Sequence, residues 1–293
     1  IRILGNDIPG LHSQGQTYNN LSFILEHEKD FDGCLKLWVL NRIVDVGKKQ
    51  MLIDLLSKHN KQYIDIPYDV KTFSKTAYCF DDLPRHDYKL TQEFANLDDR
   101  EKLIVDNAIL RHKNNYIINN NGARNRALRE GIQRADWVFP WDGNCFLTEQ
   151  SWDSITSTLR QRADLQYHIV PMDRLVDNGV VLRADYSPKP SEEPQIIFRK
   201  DALLRFDEWL MYGFKPKVEL LKRLGVPGVW DKSNRLYPWR RAVNIKHGPQ
   251  TYNYSWAGWV ARLFSGESQN VRDAHQRALA REQGVVNFLY AQD

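Results

Sequence analysis

The apolar run Trp137-Val138-Phe139-Pro140-Trp141 stops at Asp142-Gly143-Asn144, and this stop constrains the fold more than any other feature of the chain. A buried strand that ends in a carboxylate and a glycine is how an open α/β sheet presents a polar group at its carboxyl edge, where ligands bind. Upstream, the small-residue turn Asn121-Gly122-Ala123 opens a helix with Arg124 and Asn125 in its first turn. About one helix later Ala135-Asp136 leads into the apolar run.

The stretch ahead of this unit alternates strand and helix. Residues 1–7 read as a strand with a polar end, Asn6-Asp7, and a helix is expected from about Gln16 to His27. Leu35 to Leu40 is a second apolar strand, and Met51, Leu52, Leu55 and Leu56 mark one face of a helix over Val46 to His59. Gln62 to Ile66 alternates as a third strand. Short links between such elements imply parallel pairing through crossovers. Residues 68–116 form a long insertion with an acidic, helix-like piece near Asp98 to His112. Segments of that length between core elements serve as lids, as recognition loops or as decoration. Beyond Leu147 a helix is expected over Gln150 to Arg162, strands over His168 to Met172 and Gln195 to Arg199, and a proline-marked loop over 184–194. A terminal helix is expected over Ser268 to Leu289.

Composition excludes several classes. The net charge is +4, from 41 basic and 37 acidic residues, so the whole chain carries no nucleic-acid footprint. The apolar runs fall short of a membrane span. Cys34, Cys79 and Cys145 lack metal-ligand spacing and are odd in number, which points to free buried thiols in a reducing compartment. Nine Trp and thirteen Tyr serve either core packing or aromatic clefts that stack on sugars or bases. The chain begins at Ile1 without a methionine and runs directly into a strand, as expected of a trimmed chain or a piece of a larger multidomain protein.

From Asn121 to Leu147 the chain resembles the GT-A fold nucleotide-sugar glycosyltransferases of the family-2-like kind. There an N-x-G-x-x-x-A-R-N helix runs into the strand carrying a metal-binding Asp-x-Asp, which here reads Asp142-Gly143-Asn144. Phe206 to Leu224, FDEWLMYGFKPKVELLKRL, is similar to a second family segment whose Glu-Asp pair supplies the base of inverting enzymes. Here Phe214-Lys215-Pro216-Lys217 stands in place of that pair. A lysine beside another lysine is a poor base at neutral pH unless strongly desolvated.

The resemblance implies one α/β domain over 1–266, GT-A-like (Rossmann-like), with a mostly parallel central sheet flanked by helices, and a helical tail over 267–293. It implies donor-binding roles for Asn6, Asp7, Asn41, Asp45, Asn121, Arg124, Asp142, Lys246 and Arg262. Asn41 sits where the family places a carboxylate for uracil and ribose, and an amide can still hydrogen-bond either. Arg124 is either a diphosphate ligand or a helix-start salt bridge. A divalent metal, Mn or Mg, would be held by Asp142, Asn144 and His247; the alternatives are Asn144 as a turn residue and His247 as an ordinary histidine. Arg240 and Arg241 either embrace diphosphate or form a solvated patch. Tyr254, Trp256 and Trp259 form a sugar-facing wall or a packed core. Asp207, Glu208 or Glu219 would supply the base.

The activity implied is transfer of a sugar from a nucleotide-diphosphate sugar to a glycan, lipid-linked or protein hydroxyl, as in polysaccharide biosynthesis. Residues 68–116 and 184–194 would supply the acceptor contacts, and location would be cytoplasmic, with membrane association only through partners. The departures from the motifs leave two alternatives: a catalytically degenerate sugar- or nucleotide-binding module of a larger protein, and a phospho-sugar or nucleotidyl transferase on the same fold.

Overall fold

The computed structural model describes residues 1–213, 216–228, 254–264 and 274–293. Its N-terminal half alternates β1 (Arg2–Leu4), α1 (Gln16–His27), β2 (Leu37–Asn41), α2 (Val46–Lys58) and β3 (Gln62–Ile66). The insertion is helical, with α3 (Val70–Lys75), α4 (Gln92–Ala95), α5 (Asp99–Ile109) and α6 (Arg111–Ile117). Then follow α7 (Asn120–Gly131), β4 (Trp137–Val138), β5 (Trp141–Asp142), β6 (Cys145–Phe146), α8 (Glu149–Gln161), β7 (Tyr167–Arg174) and β8 (Glu192–Arg199). The described remainder is α9 (Pro216–Arg223), β9 (Tyr254–Trp256), β10 (Val260–Arg262) and α10 (Ala274–Tyr290).

Four strands, in the order β3-β2-β1-β5, pair in parallel. The two-residue side-chain period sorts their faces. Leu4, Trp38 and Leu40 pack with Leu21, Leu52 and Leu56 under α1 and α2, whereas Ile3 and Val39 meet Ala123 and Ala127 of α7 on the other face. Those two alanines lie on one helix face and let α7 approach the sheet closely.

A second sheet runs β4-β8-β7-β10-β6, with β9 also on β7. It is mixed: β4 with β8, β7 with β8 and β10 with β6 are antiparallel, whereas β9 and β10 run parallel to β7. The expectation of one mostly parallel sheet is corrected here. No α-helix lies between β7 and β8, so the chain returns directly, and a direct return pairs strands antiparallel. The protein is thus a mixed α/β structure with one parallel and one mixed sheet. Phe139-Pro140 separates β4, which pairs in the mixed sheet, from β5, which pairs with β1. Proline has no N–H to give a ladder, which accounts for the break in the apolar run.

The strand expected from Gln195 begins earlier, at Glu192, so the end of the 184–194 segment is strand rather than loop. Val170 pairs with Gln195 and Met172 with Glu192, which leaves one extra residue on β8. This bulge at Glu193-Pro194 accommodates the proline inside the strand.

The insertion and the C-terminal helix pack together. Phe73, Leu103, Leu110 and Ile117 form one cluster with Ile8, Leu11, Val285, Val286 and Leu289. A methyl at Gly284 would lie 2.0 Å from the Pro9 carbonyl oxygen, so glycine is required for α10 to seat on the loop after β1. None of the described helices is long and apolar enough to cross a membrane.

Candidate functional site

A cleft of about 440 Å³ opens beyond β1 and β5 and reaches the second sheet. Its floor carries Gly5, Asn6, Asp142 and Asn144; α7 adds Arg124; β7, β8 and β10 add Arg174, Glu192, Glu193 and Arg262; α9 adds Lys217; and α10 adds Arg281 and Glu282.

Asp142 is the centre of this arrangement. Arg124 Nη2 donates to its Oδ1 at 2.6 Å, Gln195 Nε2 donates to Oδ2 at 2.9 Å, and Lys217 Nζ lies 3.5 Å from Oδ2. Burial alone would raise the Asp142 pKa, but Arg124 and Lys217 outweigh it and hold the carboxyl well below the usual range. Arg124 is itself placed by Asn121, whose Oδ1 accepts from Nη1 at 2.8 Å. Asn121 Nδ2 in turn donates to the carbonyls of Asp207 and Pro216, and so ties α7 to the start of α9, next to Lys217.

A second group repeats the pattern. Arg174 on β7 and Arg262 on β10 are direct neighbours across the parallel pair. Like charges side by side are unfavourable, and Glu192 compensates by pairing with both, Arg174 Nε at 2.8 Å and Arg262 Nη1 at 2.6 Å. Burial raises the Glu192 pKa, and the two arginines bring it below the usual value. Glu192 and Glu193 both line the cleft, although successive residues of a regular strand face opposite sides. The bulge reconciles the two. Lys217 Nζ donates to the Glu193 carbonyl at 3.2 Å, while the Glu193 carboxylate has no ion pair or hydrogen bond among the described residues.

Other sequence candidates are tied to the protein itself. Asn6 lines the cleft but donates to the Arg42 carbonyl and accepts from Val44 N, each at 2.8 Å. Asn41 is 1% exposed, donates to the Ile118 carbonyl and accepts from Arg42. Asp7 holds the first turn of α1 through Thr17 N and Oγ1. Asp45 caps α2 through Lys48 N. Neither aspartate lines the cleft.

The three proposed bases also stand away from it. Asp207 Oδ1 accepts from Trp209 N, Glu208 Oε1 from Asn125 Nδ2, and Glu219 pairs with Arg223 one turn on. Among the aromatic candidates, Trp259 is buried against Ile24 and Phe146, and Trp256 is 45% exposed outside the cleft. Lys246 and His247 lie outside the described residues, as do Arg240 and Arg241.

Among the described residues, those around Asp142 do not fit a divalent metal. A hard cation such as magnesium needs oxygen lone pairs at about 2.0–2.1 Å, and both Asp142 oxygens are already engaged by donors, two of them cationic. Among the described residues no three His, Cys, Asp or Glu groups gather as a metal site. Asn144 lines the cleft, and its backbone carbonyl accepts from Leu263 N. His12, also at the cleft, accepts from Ile8 N through Nδ1, and burial pushes its pKa down to about 4, so it is neutral at pH 7. The three cysteines are free, and burial pushes the Cys145 thiol up to about 12.

Gly143 sets the position of Asp142. A methyl there would lie 2.5 Å from the Ile3 carbonyl oxygen and 2.8 Å from Leu4 Cδ2, and the carbonyl belongs to a strand that cannot easily yield. Gly143→Ala is therefore expected to cost roughly 1–3 kcal/mol by overpacking. Thermal unfolding checks it, and a parent-like melting temperature refutes the constraint.

Reading the sequence alone misses Lys217, Arg174, Glu192, Glu193 and Gln195 as site residues. The lysine stands in the Phe206–Leu224 segment as a substitution; Arg174, Glu192 and Glu193 lie at strand ends that periodicity places two or three residues short, and Gln195 falls inside an expected strand with nothing in its pattern to mark it. Comparison with protein-family models, with curated protein sequences and with solved structures gave no match to this chain.

Proposed function

We propose that the chain is a single-domain, GT-A-like glycosyltransferase that moves a sugar from a nucleoside-diphosphate sugar to a hydroxyl of a glycan, lipid-linked or protein acceptor. The observation that carries this reading is the meeting of Arg124 and Lys217 on Asp142 in a cleft at the carboxyl edge of the parallel strands. Guanidinium matches phosphate oxygens bidentately and lysine supplies a compact charge, the chemistry a departing diphosphate needs. The acceptor hydroxyl attacks the anomeric carbon as the bond from that carbon to the diphosphate oxygen breaks. Its proton passes to a base, and the cationic wall receives the nucleoside diphosphate. Glu193 is the base in this scheme.

A second reading is a binding module without turnover, favoured by the distance of Asp207, Glu208 and Glu219 from the cleft. Incubating the full chain with a panel of uridine- and guanosine-diphosphate sugars and candidate acceptors separates these readings. Release of nucleoside diphosphate is the expected result. Saturable binding with no release supports the module, and release of nucleoside monophosphate or pyrophosphate overturns glycosyl transfer in favour of phosphoryl chemistry.

A further inference from the structure

We infer that the cleft seats the diphosphate of its ligand on protein cations alone, with Arg124 and Lys217 occupying the electrostatic role of a divalent metal. This inference rests on the nucleoside-diphosphate reading of the cleft and goes beyond it, because it fixes what neutralises the phosphates.

The charge pattern leads there. Arg124 and Lys217 share Asp142, and Arg174 and Arg262 share Glu192. At Asp142 two buried cations share one carboxylate, an excess of one positive charge over these three groups. Arg124 and Lys217 are each 5% exposed. Burying a charge without full compensation is costly, and a second anion relieves that cost. A diphosphate supplies such an anion at Asp142, and its second phosphate reaches toward Arg262, which lines the same cleft. Arg124 Nε, moreover, is buried with no hydrogen-bond partner among the described residues.

The same groups oppose a metal. A divalent ion on Asp142 would displace Arg124 or Gln195 from its oxygen and stand close to the Lys217 ammonium, a repulsion that the low dielectric of a cleft magnifies. Glu193 and Glu282 also line the cleft, but Glu282 Oε2 accepts from Asn107 Nδ2 at 3.0 Å. Among the described residues neither joins Asp142 in a cluster of metal-ligating groups.

Calorimetric titration of the full chain with UDP, GDP and inorganic pyrophosphate, first in EDTA and then in excess manganese, tests the inference. At least one nucleoside diphosphate is expected to bind in EDTA with an affinity within about twofold of that in manganese. Lys217→Gln, which keeps a polar side chain one atom shorter and removes the charge, is expected to weaken binding about 10–100-fold, with no restoration by manganese. Should binding appear only with manganese, the inference fails while the nucleotide reading stands. Should no nucleoside diphosphate bind under either condition, both fail. A circular-dichroism melt of Lys217→Gln confirms that lost affinity is not lost folding. If that variant is unfolded, Arg262→Gln carries the same expectation at the second cation pair, and unchanged affinity there overturns the inference.

Discussion

Replacing Asp142 with alanine is expected to destabilise the fold by about 3 kcal/mol, the low end of what it costs to remove one partner from a buried ion pair. The low end applies because 32% of the Asp142 side chain is open to the cleft. The loss does not come mainly from a missing attraction. It comes from leaving the Arg124 guanidinium and the Lys217 ammonium, both buried, without their shared counter-charge. For the same reason, adding Lys217→Met to Asp142→Ala is expected to recover part of the stability, since one of the stranded charges goes with it. Urea unfolding of the two single variants and the double variant measures that coupling. A carboxylate that merely waited for a metal would show none, and strictly additive losses would refute the account. The pH dependence has a definite sign. The folded-state pKa of Asp142 is depressed below the ordinary 3.8, so its contribution is complete above that value. It is lost as the pH falls through the lower, folded pKa, and the Asp142→Ala variant should lack that portion of acid sensitivity.

Much of the parallel half was legible because it rests on local periodicity. The helix expected over Gln16 to His27 is α1, and the strand expected over Gln62 to Ile66 is β3, each within its predicted bounds. Apolar spacing suffices there, because each element packs on its neighbours in sequence, β3 beside β2 and α1 against α2. The mixed sheet was less legible for a physical reason. Strand β8 owes its start to a bulge that admits Pro194, and a reading that treats prolines as loop markers stops too late. Strands β6, β9 and β10 have two or three residues each, too few for a period to show.

The site divides the same way. Arg124 and Asp142 stood out because a helix start and a strand end mark them, and they do meet, at 2.6 Å. Lys217 is brought to Asp142 by Asn121, which bonds the carbonyl of Pro216, a contact across 95 residues that no local pattern encodes. Asp45 and Asp7 show the converse. Each sits at a conspicuous strand or helix end, and each is engaged in holding the first turn of a helix. A carboxylate at an element boundary is as useful to the backbone as to a ligand.

Glu193→Gln is expected to lower kcat for sugar transfer about 10²–10⁴-fold while leaving donor affinity nearly unchanged, the signature of a lost general base. The β8 bulge turns Glu193 into the cleft beside Glu192, and the two then differ in a way that decides their roles. Glu192 is held between Arg174 and Arg262, so its lone pairs and charge are committed. Glu193 has no such partner among the described residues, and Lys217 fixes its backbone rather than its carboxylate. A base must be free to accept a proton, so of the two only Glu193 qualifies. Gln preserves shape and hydrogen bonding but cannot take the proton, which separates chemistry from positioning. NMR of the anomeric configuration in the product supplies the independent check. Inversion requires a base on the face opposite the leaving diphosphate, whereas retention allows the diphosphate itself to assist the hydroxyl. Activity of Glu193→Gln close to that of the parent, together with retained configuration, would remove Glu193 from the chemistry and assign the proton to the leaving group.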